Sequence, residues 1–457
     1  MANILFPHYL NVSGTIPSDI ITLEVTFQDI PSSPSIEFAK VKHNKSAVIL
    51  YQKDDATPDD LTVFKPLFQT LYGTDGAFKR RNYRASLALN AGGHETISTQ
   101  ILDYIEMESI LDDEHSISNH GFNHGGTDIY HEVKNGEIRI WNKMKELGKQ
   151  VRVRTVVTPT NDEGYIETPF YLGYGHFTSS YGFPYTSRDG NDVPYGNVPI
   201  STLNKTKMIL ARDYLGNSFE YLTEAKGWVD ELFSGSTISN PKVRSIFSHD
   251  MSDATSVAKY TEFWNYVMNH TDNNDRLLVE SQQDFFEYYE TVNNTVISSG
   301  LTGNKLTITL NQSSISGNNY RRDMSLLISG GTIKSINVIN VDGSTFNPFT
   351  GLVNIYKINK NVNDPNLDPV PPRITNIIRS TNTLTLNFDR SVSGNTGFEI
   401  IGATITGVTG SGNSRIITCS GAVPIGNFFF YRIQNGDIID SNNATLKLCT
   451  YTNYPIT

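Results

Sequence analysis

The hydrophobic period of this chain changes near residue 300, and that change constrains the kinds of core it can build. Between residues 46 and 295, strand-like apolar runs alternate with stripes of helical spacing. The runs are Ala47 to Tyr51, Val151 to Val157, Val243 to Phe247 and Leu277 to Val279. The stripes are Ile97, Ile101 and Ile105; then Ile140, Trp141, Met144 and Leu147; then Val257, Tyr260, Trp264 and Val267. Such alternation predicts parallel strands joined by crossover helices, with chemistry gathered at the carboxyl ends of the strands. Beyond residue 300 the helical period is lost. Leu306, Ile308 and Leu310, and later Leu384, Leu386 and Phe388, alternate with polar residues as half-buried strands do.

At 457 residues the chain is too long for one ordinary core. The expected division is a β extension over 1–45, an α/β unit over 46–295, a small β domain over 300–360 and a β-sandwich over 373–457. Strand count and turn spacing make the last of these Ig-like. Asn361 to Pro372, rich in Asn, Asp and Pro, is the expected linker. Glu163 to Lys205, dense in Gly, Tyr and Pro, is longer than an ordinary connection and is a candidate substrate-binding loop region.

Charge and composition exclude some partners. With 47 acidic against 37 basic residues, and no block of Lys and Arg interleaved with aromatics, nothing points to a nucleic-acid backbone. No apolar run is long enough to span a bilayer, and the amino terminus lacks the basic start and apolar core of a secretory signal. The expected location is extracellular or on a virus particle, reached after removal of a signal or by a route that needs none. Homo-oligomers and virion tail proteins are the expected protein partners. Cys419 and Cys449 suit a disulfide and two buried thiols equally well.

The chemistry concentrates in two places. Asp54 and Asp55 follow directly on the apolar run Ala47 to Tyr51, with Lys53 beside them, and His120 and His124 form a His-x-x-x-His downstream. A strand-terminal carboxylate with two imidazoles offers one oxygen and two nitrogens to a divalent ion and leaves positions open for water and substrate. In isolation, the aspartates are also ordinary turn residues and the histidines ordinary loop residues.

Taken in order, these segments resemble the polysaccharide deacetylases of carbohydrate esterase family four. Their first motif is a hydrophobic strand ending in Asp-Asp. Their second contains His-x-x-x-His, matched here by Glu114-His115-Ser116-Ile117-Ser118-Asn119-His120-Gly121-Phe122-Asn123-His124. Their late motif, an apolar strand ending in Leu-x-His, is similar to Ile246-Phe247-Ser248-His249-Asp250. The resemblance covers roughly residues 45 to 293. It implies an irregular (β/α) barrel, here with an N-terminal β extension and two small C-terminal all-β domains, and removal of acetyl groups from an N- or O-acetylated polysaccharide.

By the same resemblance Asp55, His120 and His124 would hold Zn²⁺, or Co²⁺, Ni²⁺ or Mn²⁺. Asp54 would act as general base and His249 would protonate the leaving group. Phe247, Asn161 and Tyr165 are the candidates for substrate contact, and His115 supports the loop without touching metal. Two departures stand out. Gln52-Lys53-Asp54-Asp55-Ala56-Thr57 lacks the family's glycine, and no arginine follows Val157, where the family places the partner of its catalytic aspartate. Arg152, Arg154 and Arg212 remain unranked for that role. A catalytically silent glycan-binding or host-recognition scaffold is the competing expectation.

Overall fold

The computed structural model describes residues 19–93, 102–159, 165, 168, 172, 176–179, 196–204, 208–216, 219–249, 251 and 253–457. Most of the Glu163 to Lys205 stretch, and Ile97, Ile101, Asn161 and Asp250, lie outside them.

The central sheet is parallel except at one edge, where Val198–Pro199 pairs antiparallel with Val243 and Lys242. Ala47–Asp54 pairs along Ala47 to Lys53 with Lys242–Ser248. Its other edge is shared: Leu277–Glu280 takes Ala47 to Leu50, and Ser86–Leu89 takes Gln52 to Asp54. From there the order runs through Ser116–Asn119, Thr155–Val157, His176–Ser179 and Met208–Ala211. Residues 208–214 then reach back. Met208–Ala211 pairs with His176–Ser179, whereas Asp213–Tyr214 pairs with Ile246 and Phe247, so one segment connects the last strand of the sheet back to Lys242–Ser248, with Arg212 at the break. This is a barrel-like α/β core, accompanied by several all-β sheets.

Strand alternation sorts residues to the two faces of the Ala47–Asp54 strand. Ala47, Ile49 and Tyr51 belong to the outer core beneath the helices, where Tyr51 packs on Phe64, Phe68 and Trp264. Lys53, on the same face, forms ion pairs at 2.8 Å with Asp59 and 2.9 Å with Asp60. Val48 and Leu50 face the inner core, and Gln52 and Asp54 continue that face into the barrel mouth.

The predicted helices form with some changes of phase. Ala254–Met268 buries Tyr260, Phe263, Trp264 and Val267 and starts at an Asp253 capping box. Gly136–Glu146 buries Ile140, Trp141 and Met144. Tyr104–Leu111 departs from the expected Ile stripe. It starts at a capping box between Asp103 and Glu106, which sets its phase so that Tyr104, Met107, Ile110 and Leu111 are buried while Ile105 is 66% exposed.

Gln282–Asn293 is buried on nearly every side. Such a helix belongs inside a structure, not on its surface. It sits between the barrel and a sandwich of two four-stranded sheets, one built from Ile20–Phe27 with Val296–Thr302, Lys305–Asn311 and Ile333–Ile339, the other from Ser35–Phe38 with Met324–Ser329, Gly343–Asn347 and Leu352–Tyr356. Tyr288 and Tyr289 donate to the carbonyls of Ala39 and Lys40, and Glu287 accepts from the Tyr320 and Arg321 amides. Residues near the amino terminus thus share one core with residues 296–356, through Ile21, Leu23, Val25 and Phe27 against Leu306, Ile308 and Leu310.

The segment 361–372 is fastened to the barrel. Lys134 pairs with Asp368 at 2.6 Å, and Arg152 bonds Asp368 and the Asn363 carbonyl. The last module packs its own core around Leu384, Leu386, Ile417, Phe429 and Tyr431. It touches the barrel next to the histidine loop, where Arg373 pairs with Asp128 and the Thr452 amide donates to the Thr127 carbonyl. Cys419 and Cys449 are both buried free thiols. Among the described residues no helix is long and apolar enough to cross a membrane.

His115 ties the histidine segment into the outer core. It lies against Phe64 and Phe68 and accepts the Ala85 amide at 3.2 Å. Burial, then the Arg84 and Lys65 charges, pull it down to about 3. An unfolded His titrates near 6.5, so this group's contribution is intact above about pH 6.5 and is lost as pH falls toward 3. His115→Gln keeps an acceptor for Ala85 and removes the proton uptake. We expect wild-type stability, measured by urea unfolding, to fall below pH 6.5 more steeply than the variant's, by up to about 1.4 kcal/mol per pH unit. Parallel curves would show that His115 does not set the acid sensitivity.

Candidate active site

Asp54, Asp55, His120, His124 and His249 come together at the carboxyl ends of three strands. Asp54 ends Ala47–Asp54, His120 follows Ser116–Asn119, and His249 follows Lys242–Ser248. Ligand atoms of Asp55, His120 and His124 all lie within 4.8 Å of one another. Asp55 Oδ1 is 3.9 Å from His124 Nε2, and the His120 and His124 rings are 4.8 Å apart.

The donor set fits a divalent ion. His120 Nδ1 lies 2.9 Å from the Val157 carbonyl; a hydrogen on Nδ1 donates there and leaves the Nε2 lone pair facing the cluster. Burial keeps His120 below the usual imidazole range even though Asp54 opposes the shift, which favours the neutral, ligating form. Asp55 Oδ1 accepts from Asn90 Nδ2 at 2.9 Å. His124 is 45% exposed at the side chain and Asp55 34%, so the cluster opens outward while His120 anchors it from below.

The loop that presents the two histidines is organised by Glu132, a buried residue outside the sequence motif. Its carboxylate accepts the Phe122 amide at 2.9 Å, the Asn123 amide at 2.8 Å and the Asn123 side chain at 3.0 Å. Gly121 has φ +87 and a Cβ there would meet Glu132 at 3.0 Å, so glycine is needed where the chain turns between the histidines. Asp55 (φ 72) and His124 (φ 61) are both left-handed non-glycine residues, a backbone state that costs energy and recurs where side chains must be aimed.

Arg212 is the arginine that meets Asp54. Its Nη1 donates to Asp54 Oδ1 at 2.8 Å and to Gln52 Oε1 at 2.8 Å, and its guanidinium lies 3.9 Å over the Phe247 ring. Burial alone would push Asp54 up, but Arg212 first and His120 second outweigh it and hold the carboxyl below its usual range. Arg152 and Arg154 are committed elsewhere, to Glu137 with Asp368 and to Glu290 with Asn319. Lys53 is turned to Asp59 and Asp60 on the far face of the strand.

His249 Nδ1 is 3.3 Å from the Tyr214 hydroxyl, and Tyr214 stacks on Phe247 at 4.8 Å. Phe247 is therefore enclosed between Arg212 and Tyr214. Tyr165 is fully buried with Ile129, Val133 and Val156, beneath the histidine loop near Gly121. Sequence reasoning missed Asn90, Glu132 and Tyr214. Asn90 follows directly on Ser86–Leu89 and Tyr214 lies two residues after Arg212, so the rule that functional groups gather at strand ends could have flagged both; nothing local marks Glu132.

No family model matches the chain, and no curated protein matches it. Among solved structures, the chain is similar to the crystal structure of a "putative polysaccharide deacetylase" from Mycobacterium smegmatis, at 12% identity and a TM-score of 0.32, over 57% of this chain and 94% of the other. At so slight an overlap, the chemistry must be read from this chain's own residues.

Arg212→Leu leaves the Asp54 carboxylate buried without its main partner, which costs roughly 3–5 kcal/mol. We expect that loss in urea unfolding at neutral pH, and recovery of most of it in Asp54→Asn with Arg212→Leu. If the double variant is as unstable as Arg212→Leu alone, the guanidinium stabilises through Phe247 and not through Asp54.

Proposed function

We propose that this chain is a metal-dependent hydrolase that removes acetyl groups from an acetylated polysaccharide, with the unit over 46–295 as the catalytic part and the β modules as its carriers. The observation that carries this reading is the juxtaposition of the Asp55, His120 and His124 donors with an ionised, arginine-held Asp54. The order of Asp-Asp, His-x-x-x-His and Phe-Ser-His along the chain supports the choice of substrate class.

Asp55, His120 and His124 would hold the ion, zinc being the first choice. A divalent ion held there would supply polarisation of an acyl oxygen and a lowered pKa of water, toward about 7. Asp54 Oδ2 faces His120 Nε2 at 4.0 Å while Arg212 occupies Oδ1, so one oxygen is held and the other accepts the proton of the attacking water. His249 follows Lys242–Ser248, the strand that pairs with the one ending at Asp54. With Nδ1 engaged by Tyr214, its Nε2 gives a proton to the departing nitrogen or oxygen. Phe247 keeps Arg212 and Tyr214 at their spacing.

Elemental analysis after dialysis against metal-free buffer is expected to find about one divalent ion per chain in wild type, and none in Asp55→Ala or His120→Ala. Asp54→Asn and His249→Ala should keep the ion, while acetate release from acetylated glycans falls roughly 10²–10⁴-fold. Full turnover in Asp54→Asn would remove it from the role of base. No metal in wild type, even after zinc is added back, would leave a silent scaffold and favour glycan binding.

A further inference from the structure

Two consecutive non-glycine residues carry the chain out of the Ala47–Asp54 strand at the site. Asp55 has φ 72 and Ala56 φ 44, both in the left-handed region that favours glycine. Such a turn is costly and persists only where its surroundings hold it. Ala56 is fully buried, and its carbonyl accepts the Leu102 amide at 2.9 Å, which is one hold on the turn. The other comes from Lys53.

Lys53 is fully buried two residues before Asp55. Its ammonium has three hydrogens and is surrounded by the Thr57 hydroxyl at 3.0 Å, Asp59 at 2.8 Å and Asp60 at 2.9 Å. All three partners lie just beyond the turn, so residues 53–60 close a ring around one buried charge. The ring is cross-linked, because the Thr57 hydroxyl donates to Asp59 and the Asp60 amide donates to the Thr57 carbonyl. Asp59 Oδ2, which pairs with Lys53, also accepts the Met251 amide at 3.2 Å, two residues after His249. Asp60–Phe64 then forms a π-turn, a rare geometry that recurs at functional sites. Another π-turn, His131–Asn135, carries Glu132, the carboxylate that braces the histidine loop.

We propose that Lys53 is a positioning residue of the metal centre: by gripping Thr57, Asp59 and Asp60 it fixes the Asp55–Ala56 turn and so aims the Asp55 carboxylate at His120 and His124. The role rests on the assignment of Asp55, His120 and His124 as metal ligands. Asp55 faces the opening of the cluster, so the direction of its carboxylate depends on the backbone that presents it and on the hydrogen bond from Asn90. Residues that orient a ligand from behind typically change metal affinity by about 10- to 100-fold when they are removed.

The test is the zinc affinity of the full chain, by competition with a chromophoric chelator, beside thermal unfolding. Lys53→Met combined with Asp60→Asn removes both buried charges together, so the loss of the ammonium does not strand Asp60. We expect this double variant to unfold cooperatively and to bind zinc at least about tenfold more weakly than wild type. A role in stability alone predicts wild-type zinc affinity in it, and that result would overturn the proposal. Thr57→Val keeps the shape of the side chain and removes one of the three partners, so it should weaken zinc severalfold. If the double variant does not unfold cooperatively, Thr57→Val decides the matter, and wild-type affinity there overturns the role of the ring. Failure of wild type itself to bind zinc refutes the metal centre and this role with it, whereas zinc held equally by wild type and both variants refutes the role of Lys53 alone.

Discussion

The ion pair between Asp54 and Arg212 is the constraint on which the site depends. Both side chains are about 1–2% exposed, and a carboxylate that deep in a protein is tolerated only with a charged, hydrogen-bonding partner. The partner comes from the segment that connects His176–Ser179 back to Lys242–Ser248, at the break between Met208–Ala211 and Asp213–Tyr214. The segment that connects the barrel thus also supplies the charged partner of the aspartate. A shift in that segment would separate Arg212 from Asp54, lift it from Phe247 and move Tyr214 away from His249.

The other elements hold this arrangement from outside. Gln282–Asn293 fills the space between the barrel and the sandwich, and Arg84, Arg321, Glu280, Asp284 and Asp323 link the two through buried ion pairs. Pairs of this kind add modestly to stability but penalise any other docking, because separation strands a charge in a low dielectric. At the opposite side the last module rests on residues 127–129, immediately after His124. The histidine loop is consequently braced from within by Glu132 and from without by a separate core.

The motif residues were legible because their chemistry is local. Asp54 and Asp55 at the end of an apolar run, and His120 and His124 in one short loop, need only strand geometry and a turn to meet. The alternating runs and stripes likewise located Lys242–Ser248, Ala254–Met268 and Leu277–Glu280. Ile105 shows the limit of the pattern: a capping box reset the helix phase and turned an apolar residue to solvent. Choosing among Arg152, Arg154 and Arg212 lay beyond the sequence, since all three sit next to strand-like runs and differ only in which face of which strand carries them.

By itself, then, the sequence determined the alternation of strands and helices, the change to β structure near residue 300, and the identity of the aspartates and histidines at the centre. These follow from side-chain periodicity and donor chemistry, which act over a few residues. The tertiary structure alone decided that Arg212 reaches Asp54, that Lys53 turns away from it, that Glu132 holds the histidine loop, and that Ile20–Phe27 pairs with Lys305–Asn311 and Ile333–Ile339. Each of these joins residues far apart in the chain, and such contacts are selected by closure of a sheet and burial of a shared face, which no local pattern records.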